Sequence, residues 1–217
     1  MTPLRFSIVV PTHDRVARLR RTVEALDRLD YDPARFEVLV VDDGSTDGTA
    51  AFLAGRVRPG FQVIRRVRGG VAAARNSAIH AARGTFVAFT DDDCEVPPDW
   101  LTRLDARLEA EGLDVLGGTV ENALPSVISQ LYQDMARELY ERQNMDAPHP
   151  EFLSANNLAC RRELLLTSGL FDARFFLGGE DRELVRRLTR GGARVRYAPD
   201  LVIRHYHEFT LATFARE

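Results

Sequence analysis

The sequence is poor in the features that mark secreted and membrane-spanning proteins. It contains two cysteines, Cys94 and Cys160, which can form one disulfide at most, so free thiols in a reducing compartment are the simpler interpretation. The first apolar run, Phe6 to Val10, is too short for a signal-peptide core. No run approaches the roughly 20 apolar residues that span a bilayer. We therefore expect a cytoplasmic protein without a transmembrane segment, and peripheral contact with a membrane stays open.

An excess of charge of one sign is also missing. The chain has 29 basic and 32 acidic residues, a formal net charge of -3 and an isoelectric point near 6.0. This balance does not predict a basic face for a phosphate backbone, so nucleic acid is not an expected partner. The 217 residues, 45% of them hydrophobic, suffice for one domain with a substantial core.

Short apolar runs alternate with helical periodicity through the first half of the chain. Strands are predicted at Phe6 to Val10, Glu37 to Val41, Phe61 to Val67 and Thr85 to Thr90, with helices between them. The second half is less regular. A strand is predicted at Asp114 to Val120, and Arg194 to Tyr197 and Leu201 to Ile203 are short strand candidates. The alternation predicts an α/β fold with a mostly parallel central sheet flanked by helices.

Acidic residues follow two of the predicted strands. Asp42 and Asp43 come after the second strand, and Asp91, Asp92 and Asp93 come after the fourth. The carboxyl ends of parallel strands share one sheet edge, where ligands bind. Five carboxylates at one edge repel each other unless a cation offsets their charge, and oxygen ligands favour Mg²⁺ or Mn²⁺. Spacing i, i+2 on an extended chain would place Asp91 and Asp93 on one face. A solvated acidic loop is the alternative.

Two glycines precede a predicted helix. Gly69 and Gly70 come before Val71, and a helix start offers free N–H groups and a positive dipole end to a phosphate. Arg75 follows about one turn later and could reach a diphosphate. A plain loop and a surface salt bridge of Arg75 are the alternatives.

Five segments occur in a fixed order along the chain: Ser7 to Asp14, Val40 to Asp47, Gly70 to Asn76, Phe89 to Cys94 and Gly178 to Leu184. They resemble the nucleotide-sugar and acceptor motifs of the family 2 glycosyltransferases, which have the GT-A fold. The resemblance runs from about Phe6 to about His207. It implies a nucleoside-diphosphate-sugar donor, a divalent cation, Mn²⁺ or Mg²⁺, and inverting transfer to an acceptor hydroxyl.

The resemblance also assigns residues to the donor. It divides a single domain of residues 1–217 into a nucleotide-sugar-binding half, to about residue 120, and an acceptor-side half, from about residue 121. Most of the donor-binding residues lie at or near the ends of the first, second and fourth strands, and Arg75 lies about one turn into the helix after Gly70. The residues assigned to the donor are Pro11, Thr12 and His13 along the base, Asp43 on the nucleobase, Arg75 near the base or diphosphate, and Asp91 and Asp92 on the ribose or donor sugar.

Three further residues receive metal and catalytic roles from the resemblance. Asp93 would ligate the metal, His205 would be a further ligand, and Asp181 would be the general base. An acid in the first turn of a helix can instead be structural, because it favours the helix dipole. A histidine at a strand end can be a surface or capping residue, and His207 would share the face of His205 if the strand continued.

Other functions depend on motifs that the sequence does not contain. A nucleotidyltransferase should carry a glycine-rich, arginine-containing loop after the first strand, where this chain has Pro11 to Arg15. A dehydrogenase needs G-x-G-x-x-G there. The Gln-x-x-Arg-Trp stretch of processive synthases is also missing, so a single transfer per encounter is expected. A non-catalytic nucleotide-sugar-binding module stays open, as does the acceptor, whether carbohydrate, lipid-linked or small molecule. Many members of the family continue beyond the equivalent of residue 217.

Overall fold

The structure, a computed structural model, describes residues 4–56, 58–144, 150, 152–175 and 178–206, apart from the side chain of residue 132. Within these residues eight strands form one sheet. The strands are β1 (Phe6–Thr12), β2 (Phe36–Asp42), β3 (Phe61–Arg65), β4 (Phe86–Phe89), β5 (Cys94–Glu95), β6 (Val115–Asn122), β7 (Leu158–Arg161) and β8 (Val195–His205). The helices are α1 (Val16–Leu26), α2 (Thr49–Ala54), α3 (Val71–Ala81), α4 (Trp100–Ala110), α5 (Val127–Asn144), α6 (Arg162–Ser168) and α7 (Glu180–Arg190).

The strand order across the sheet is β3-β2-β1-β4-β7-β6-β8-β5. The first four of these strands are parallel, as is the pair of β6 and β8, whereas β7 and β5 run antiparallel to their neighbours. The predicted fold class, α/β with a mostly parallel sheet flanked by helices, is confirmed.

The central strands contain apolar runs because helices cover both faces of the sheet. In β1, Ile8 and Val10 face a core that includes Leu19 of α1. Val9 faces the opposite core, which includes Ala78 of α3 and Leu184 of α7. Each of these residues is fully buried. This two-sided burial explains the continuous apolar run that predicted β1.

The strands depart from the prediction in three places. The two predicted strands of residues 194–203 are one longer strand, β8, whose pairing with β6 changes register between Gly118 and Thr119. Strands β5 and β7 were not predicted. β5 has two residues and β7 has four, so neither is long enough to establish a periodicity.

No helix within the described ranges has the length and apolar character needed to cross a bilayer. Both cysteines are free and buried.

The topology brings four chain segments to the candidate site. β1, β2 and β4 are parallel neighbours, so their carboxyl ends meet at one edge and deliver Thr12, Asp43 and the acids that follow Phe89. β8 returns antiparallel to β5 and pairs His205 with Cys94. Residues from the last strand of the described chain therefore lie beside the acidic segment.

Candidate active site

A cavity of about 370 Å³ lies at the carboxyl ends of the parallel strands. Its wall combines acidic and basic side chains with the start of helix α3. The lining residues are Pro11, Thr12, His13, Arg15, Asp43, Arg68, Gly70, Val71, Ala74, Asp91 and Asp92. Six of the seven residues that the resemblance assigned to the donor are in this wall, and the seventh, Arg75, is described below.

The carboxylate of Asp43 fixes the turn that precedes α3. It accepts hydrogen bonds from the backbone N–H groups of Gly69 at 3.1 Å and Gly70 at 2.8 Å, and it is also bonded to Arg66. Gly70 has a φ of +88°, which is unfavourable for a residue with a side chain. Asp43 therefore shapes the cavity through the backbone of this turn. Its contact with a nucleobase stays a prediction.

Thr12 contributes its side chain to the acidic cluster. Its Oγ1 donates a 2.7 Å hydrogen bond to Oδ2 of Asp92. Burial raises the pKa of Asp92 to about 6, against the opposing effects of Arg15 and Thr12 and with a further increase from Asp93 and Asp91. His13 places Nε2 3.4 Å from Asp14, and its buried Nδ1 has no hydrogen-bond partner among the described residues.

The three consecutive acids do not lie on an extended chain, which corrects the expectation that Asp91 and Asp93 share a face. Residues 91–94 form a turn, in which the N–H of Cys94 donates to the carbonyl of Asp91 at 3.2 Å. Asp91 pairs with Arg75, whereas Asp92 and Asp93 share Arg15. The turn thus separates Asp91 from the other two acids.

Arginines already offset much of the charge of the acidic cluster. Nη1 of Arg15 lies 3.2 Å from Asp92 and 3.4 Å from Asp93, and Nη1 of Arg18 lies 3.3 Å from Asp93. The repulsion among carboxylates therefore does not by itself require a metal ion, contrary to the argument from the sequence. Support for a cation site must therefore come from the arrangement of the side-chain atoms that would bind the ion.

The donor atoms of Asp93 and His205 converge in a way that fits a divalent cation. His205 Nε2 lies 3.1 Å from Asp93 Oδ1. The sulfur of Cys94 completes a group whose ligand atoms all lie within 4.8 Å of one another. Burial raises the pKa of the Cys94 thiol well above its usual range, which disfavours the thiolate that binds metals. One carboxylate and one imidazole suit Mn²⁺. His207 lies outside the described residues.

Arg75 and Glu180 connect the donor side to the start of helix α7. Arg75 is 3% exposed and donates to Asp91 at 2.8 Å and to Glu180 at 2.7 Å. Its position near the base or diphosphate stays a prediction, because both of these hydrogen bonds go to carboxylates of the protein. One oxygen of Glu180, Oε2, is buried with no hydrogen-bond partner among the described residues.

Asp181 follows Glu180 in the first turn of α7. Its carboxylate accepts hydrogen bonds from the N–H groups of Arg182 at 2.7 Å and Ala155 at 3.2 Å. Burial and the neighbouring Glu180 raise the pKa of Asp181, while Arg75 and these two backbone groups lower it. A carboxylate with a raised pKa is better suited to accept a proton.

Three of the residues in these networks were missed in the sequence. Arg15 directly precedes helix α1, and Arg18 lies in the first turn of that helix. Glu180 is the residue before Asp181 in α7. A signal for Arg15 and Arg18 was available in their spacing, because residues i and i+3 share a helix face. Their contact with acids 75 to 78 positions away depends on the folded sheet.

A family model described as "Glycosyl transferase family 2" matches residues 7–167. The chain belongs to this family. The match covers the cavity-lining residues and Asp93, and it ends before Asp181 and His205. The identity suggested by the five motifs is confirmed.

Curated relatives with similar sequences include named glycosyltransferases. Glycosyltransferase AglE of Haloferax volcanii is 27% identical over 206 residues, which cover 90% of this chain and 65% of the relative. The pre-mycofactocin glycosyltransferase of Mycobacterium tuberculosis is 28% identical over 218 residues, covering 94% of this chain and 43% of the relative. The chain thus spans less than two thirds of the length of these relatives.

Solved structures with the same fold include two with bound sugar nucleotides. The mannosyltransferase PcManGT of Pyrobaculum calidifontis, in complex with GDP-Man and Mn²⁺, superposes with a TM-score of 0.77 at 23% identity, over 94% of this chain and 59% of that chain. TarS 1-349 of S. aureus, in complex with UDP-GlcNAc, gives a TM-score of 0.76 at 22% identity, over 98% of this chain and 61% of that chain. At this identity the likeness establishes the GT-A fold.

Proposed function

We propose that this protein transfers a sugar from a nucleoside-diphosphate-sugar donor to an acceptor hydroxyl, with inversion at the anomeric carbon and one transfer per encounter. Membership of glycosyltransferase family 2 supports the reaction class. The donor would occupy the cavity of Pro11, Thr12, His13, Asp43 and their neighbours. We assign the first part of the chain, to about residue 120, to binding of the donor and the part from about residue 121 to binding of the acceptor.

The observation that carries the proposal is the connection of Asp181 to the donor cavity. Asp91 lines that cavity, Arg75 binds Asp91, and the other end of the Arg75 guanidinium binds Glu180. Asp181 is the next residue after Glu180, so this buried bridge fixes the start of α7 relative to the wall of the cavity that the donor would occupy. A general base must be held in this way against the reacting bond.

Asp181 would accept the proton of the acceptor hydroxyl as that oxygen attacks the anomeric carbon. Two backbone N–H groups orient its carboxylate, and its raised pKa increases its basicity. The bond from the anomeric carbon to the diphosphate oxygen breaks as the new glycosidic bond forms. By analogy with glycoside hydrolysis, the transition state should have oxocarbenium character.

Asp93 and His205 would hold Mn²⁺ or Mg²⁺. A bound divalent cation offsets the charge that develops on a departing diphosphate. The mixed oxygen and nitrogen donor set favours Mn²⁺ over Mg²⁺. The convergence of the two side chains at 3.1 Å supports this assignment.

A panel of donors tests the proposal. Binding to the folded state raises the melting temperature by mass action, so nucleoside diphosphates and sugar nucleotides are screened by thermal shift with Mn²⁺ and with chelator. The donor that stabilises the protein is then supplied with carbohydrate, lipid-linked and small-molecule acceptors, and the transferred sugar is measured. Donor binding without transfer to any acceptor, and without donor hydrolysis, would indicate the non-catalytic binding module.

Substitution of the base gives a second readout. Asp181→Asn should keep donor affinity and lose transfer by on the order of 10² to 10⁴, because an amide cannot accept the proton. Glu183→Gln, two residues further along α7, is the matched control, since Glu183 pairs with Arg187 on the same helix. Equal rates for Asp181→Asn and the parent would assign the base to another residue.

A further inference from the structure

We propose that Arg15 and Arg18 occupy the cation site when the metal is absent, and that Arg15 moves from the acids to the donor diphosphate when metal and donor bind. The inference rests on the proposed function, because it takes Asp93 as the metal ligand. In this exchange, a divalent metal ion replaces arginine side chains as the positive charge at the carboxylate of Asp93.

The contacts of Asp93 place the arginines in competition with a metal ion. Oδ2 of Asp93 is approached by Arg15 at 3.4 Å and by Arg18 at 3.3 Å, while Oδ1 is 3.1 Å from His205. A divalent cation between Asp93 and His205 would share its carboxylate with two guanidinium groups. Like charges at such distances repel, so the metal and the arginines cannot hold Asp93 equally well.

The acids are more deeply buried than the arginines that contact them, which permits the exchange. The side chains of Asp92 and Asp93 are 4% and 2% exposed, whereas those of Arg15 and Arg18 are 45% and 34% exposed. The acids are held in the core of the site, and each guanidinium reaches them from the solvent side. An arginine can therefore leave without unpacking the protein, whereas the carboxylates cannot.

The backbone that carries the arginines is fixed against the acidic turn. Thr22, in α1, donates its hydroxyl to the carbonyl of Cys94 at 2.8 Å. The reach of Arg15 and Arg18 is thus set by their side chains and not by movement of the helix. Arg15 lines the donor cavity together with Arg68. A guanidinium released at that wall can bind a diphosphate through two N–H groups.

The exchange predicts opposite effects on two affinities. Without nucleotide, Arg15→Gln and Arg18→Gln should each tighten Mn²⁺ binding by about three- to tenfold, since a competing cation is removed. With saturating Mn²⁺, Arg15→Gln should weaken the binding of UDP or GDP, whichever the parent binds, by about tenfold. Arg18→Gln should change this affinity little. A purely structural pair of arginines would not tighten metal binding.

Binding of Mn²⁺ to the whole chain is determined from the signal of free Mn²⁺ in electron paramagnetic resonance. Binding of UDP and GDP is measured by calorimetric titration. Arg20→Gln is the matched control for loss of one positive charge on α1, because Arg20 lies over the ring of Phe52. Circular dichroism melts check that each variant folds. The two single variants are independent, since each retains the other arginine at Asp93.

The outcomes separate the inference from the function on which it rests. If the parent binds Mn²⁺ and Asp93→Asn does not, the metal site stands; unchanged or weaker Mn²⁺ binding by both arginine variants then overturns the exchange alone. If the parent binds no Mn²⁺ with or without UDP or GDP, or Asp93→Asn binds it equally well, the proposed metal site fails and the exchange fails with it. Equal tightening by Arg20→Gln would reduce the effect to net charge and also overturn the exchange.

Discussion

Arg75 donates a 2.7 Å hydrogen bond from Nη1 to Oε1 of Glu180 and thereby joins helix α3 to the first residue of helix α7. The two residues are 105 positions apart, and they are 3% and 5% exposed. A buried ion pair is strongly destabilised when one partner is removed. The pair therefore fixes where α7 begins, and with it the carboxylate of Asp181.

The first prediction is that transfer requires a pH higher than an ordinary aspartate would need. Burial and Glu180 raise the pKa of Asp181 above its usual value of 3.8. A base acts when deprotonated, so kcat/KM should rise as the pH increases through this raised pKa. The profile is measured at saturating Mn²⁺ from pH 4 upward. A kcat/KM that shows no fall as the pH is lowered to 4 would contradict the assignment of Asp181.

Two variants should shift that limb in opposite directions. Glu180 raises the pKa of Asp181 and Arg75 lowers it. Glu180→Gln should therefore move the acidic limb to lower pH, and Arg75→Gln should move it to higher pH. Glu183→Gln is the control that should leave the limb in place. Shifts in the same direction would show that the variants act through the fold and not through the charge at Asp181.

The second prediction concerns the stability of the metal-free protein. Asp92 has a pKa of about 6 in the folded state, against 3.8 as its ordinary value. The folded state binds a proton more tightly than the unfolded chain, so this group stabilises the fold at low pH and the stabilisation is lost as the pH rises toward 6. Asp92→Asn should raise the free energy of unfolding at pH 7.5 by on the order of 1 to 3 kcal/mol. The gain should shrink toward pH 4.

Urea unfolding in the presence of chelator, at pH 4.5 and pH 7.5, measures this difference. Asp114→Asn is a control, for which we expect a change in the free energy of unfolding of the opposite sign. Burial opposes the shift, but the backbone of Arg194 and the side chain of Arg161 lower the pKa of Asp114 overall. That variant should lose stability at pH 7.5 and lose less toward pH 4. A loss of stability by Asp92→Asn at pH 7.5 would mean that Arg15 and Thr12 stabilise the charged form more than burial penalises it.

The third prediction is that His205 contributes to metal affinity. Its Nε2 is 3.1 Å from Asp93 Oδ1. His205→Ala should weaken Mn²⁺ binding by about tenfold or more, because a nitrogen ligand is lost. His80→Ala, at the exposed end of α3, is the control. Mn²⁺ affinity is measured without nucleotide, and equal affinity for both variants would remove His205 from the site.

The sequence predicted β1, β2 and β4 because these strands are buried on both faces. Such strands read as uninterrupted apolar runs, as in Phe6 to Val10 and Glu37 to Val41. The same reasoning could not find β5, since two residues carry no period, and it divided β8 at Pro199 and Asp200. The spacing of apolar residues along the chain gives no sign of the register shift between β6 and β8, across which this strand continues.

The acids of the candidate site were found because they follow apolar runs, but their partners were not. Arg15 and Arg18 contact carboxylates 75 to 78 positions later in the chain, and Arg75 contacts Glu180 across 105 positions. Spacing within a helix or strand says nothing about such contacts. The turn at residues 91–94 was missed for a related reason, since three aspartates after a strand are equally compatible with an extended segment.

The last prediction concerns the place where β8 is held against β6. Gly118 lies at the register shift, and a Cβ atom there would be 2.1 Å from the carbonyl oxygen of Leu201 and 2.4 Å from Nδ2 of Asn157. That amide donates to the carbonyl oxygens of Thr119 and Leu201 at 2.9 and 2.8 Å. Gly118→Ala should therefore cost about 3 kcal/mol of unfolding free energy or more, because backbone and a bonded amide must both move.

The same substitution should reach the metal site, because β8 continues from Leu201 to His205. Gly118→Ala is expected to weaken Mn²⁺ affinity in the protein that remains folded, which is measured below the melting temperature. Gly55→Ala is the matched control, since the nearest atom to its added Cβ is 3.8 Å away. A Gly118→Ala protein as stable as the control would mean that β8 can shift along β6. In that case the position of His205 beside Asp93 would depend on the pairing of Cys94 with His205 and on the hydrogen bond from the N–H of Tyr206 to the carbonyl of Asp93.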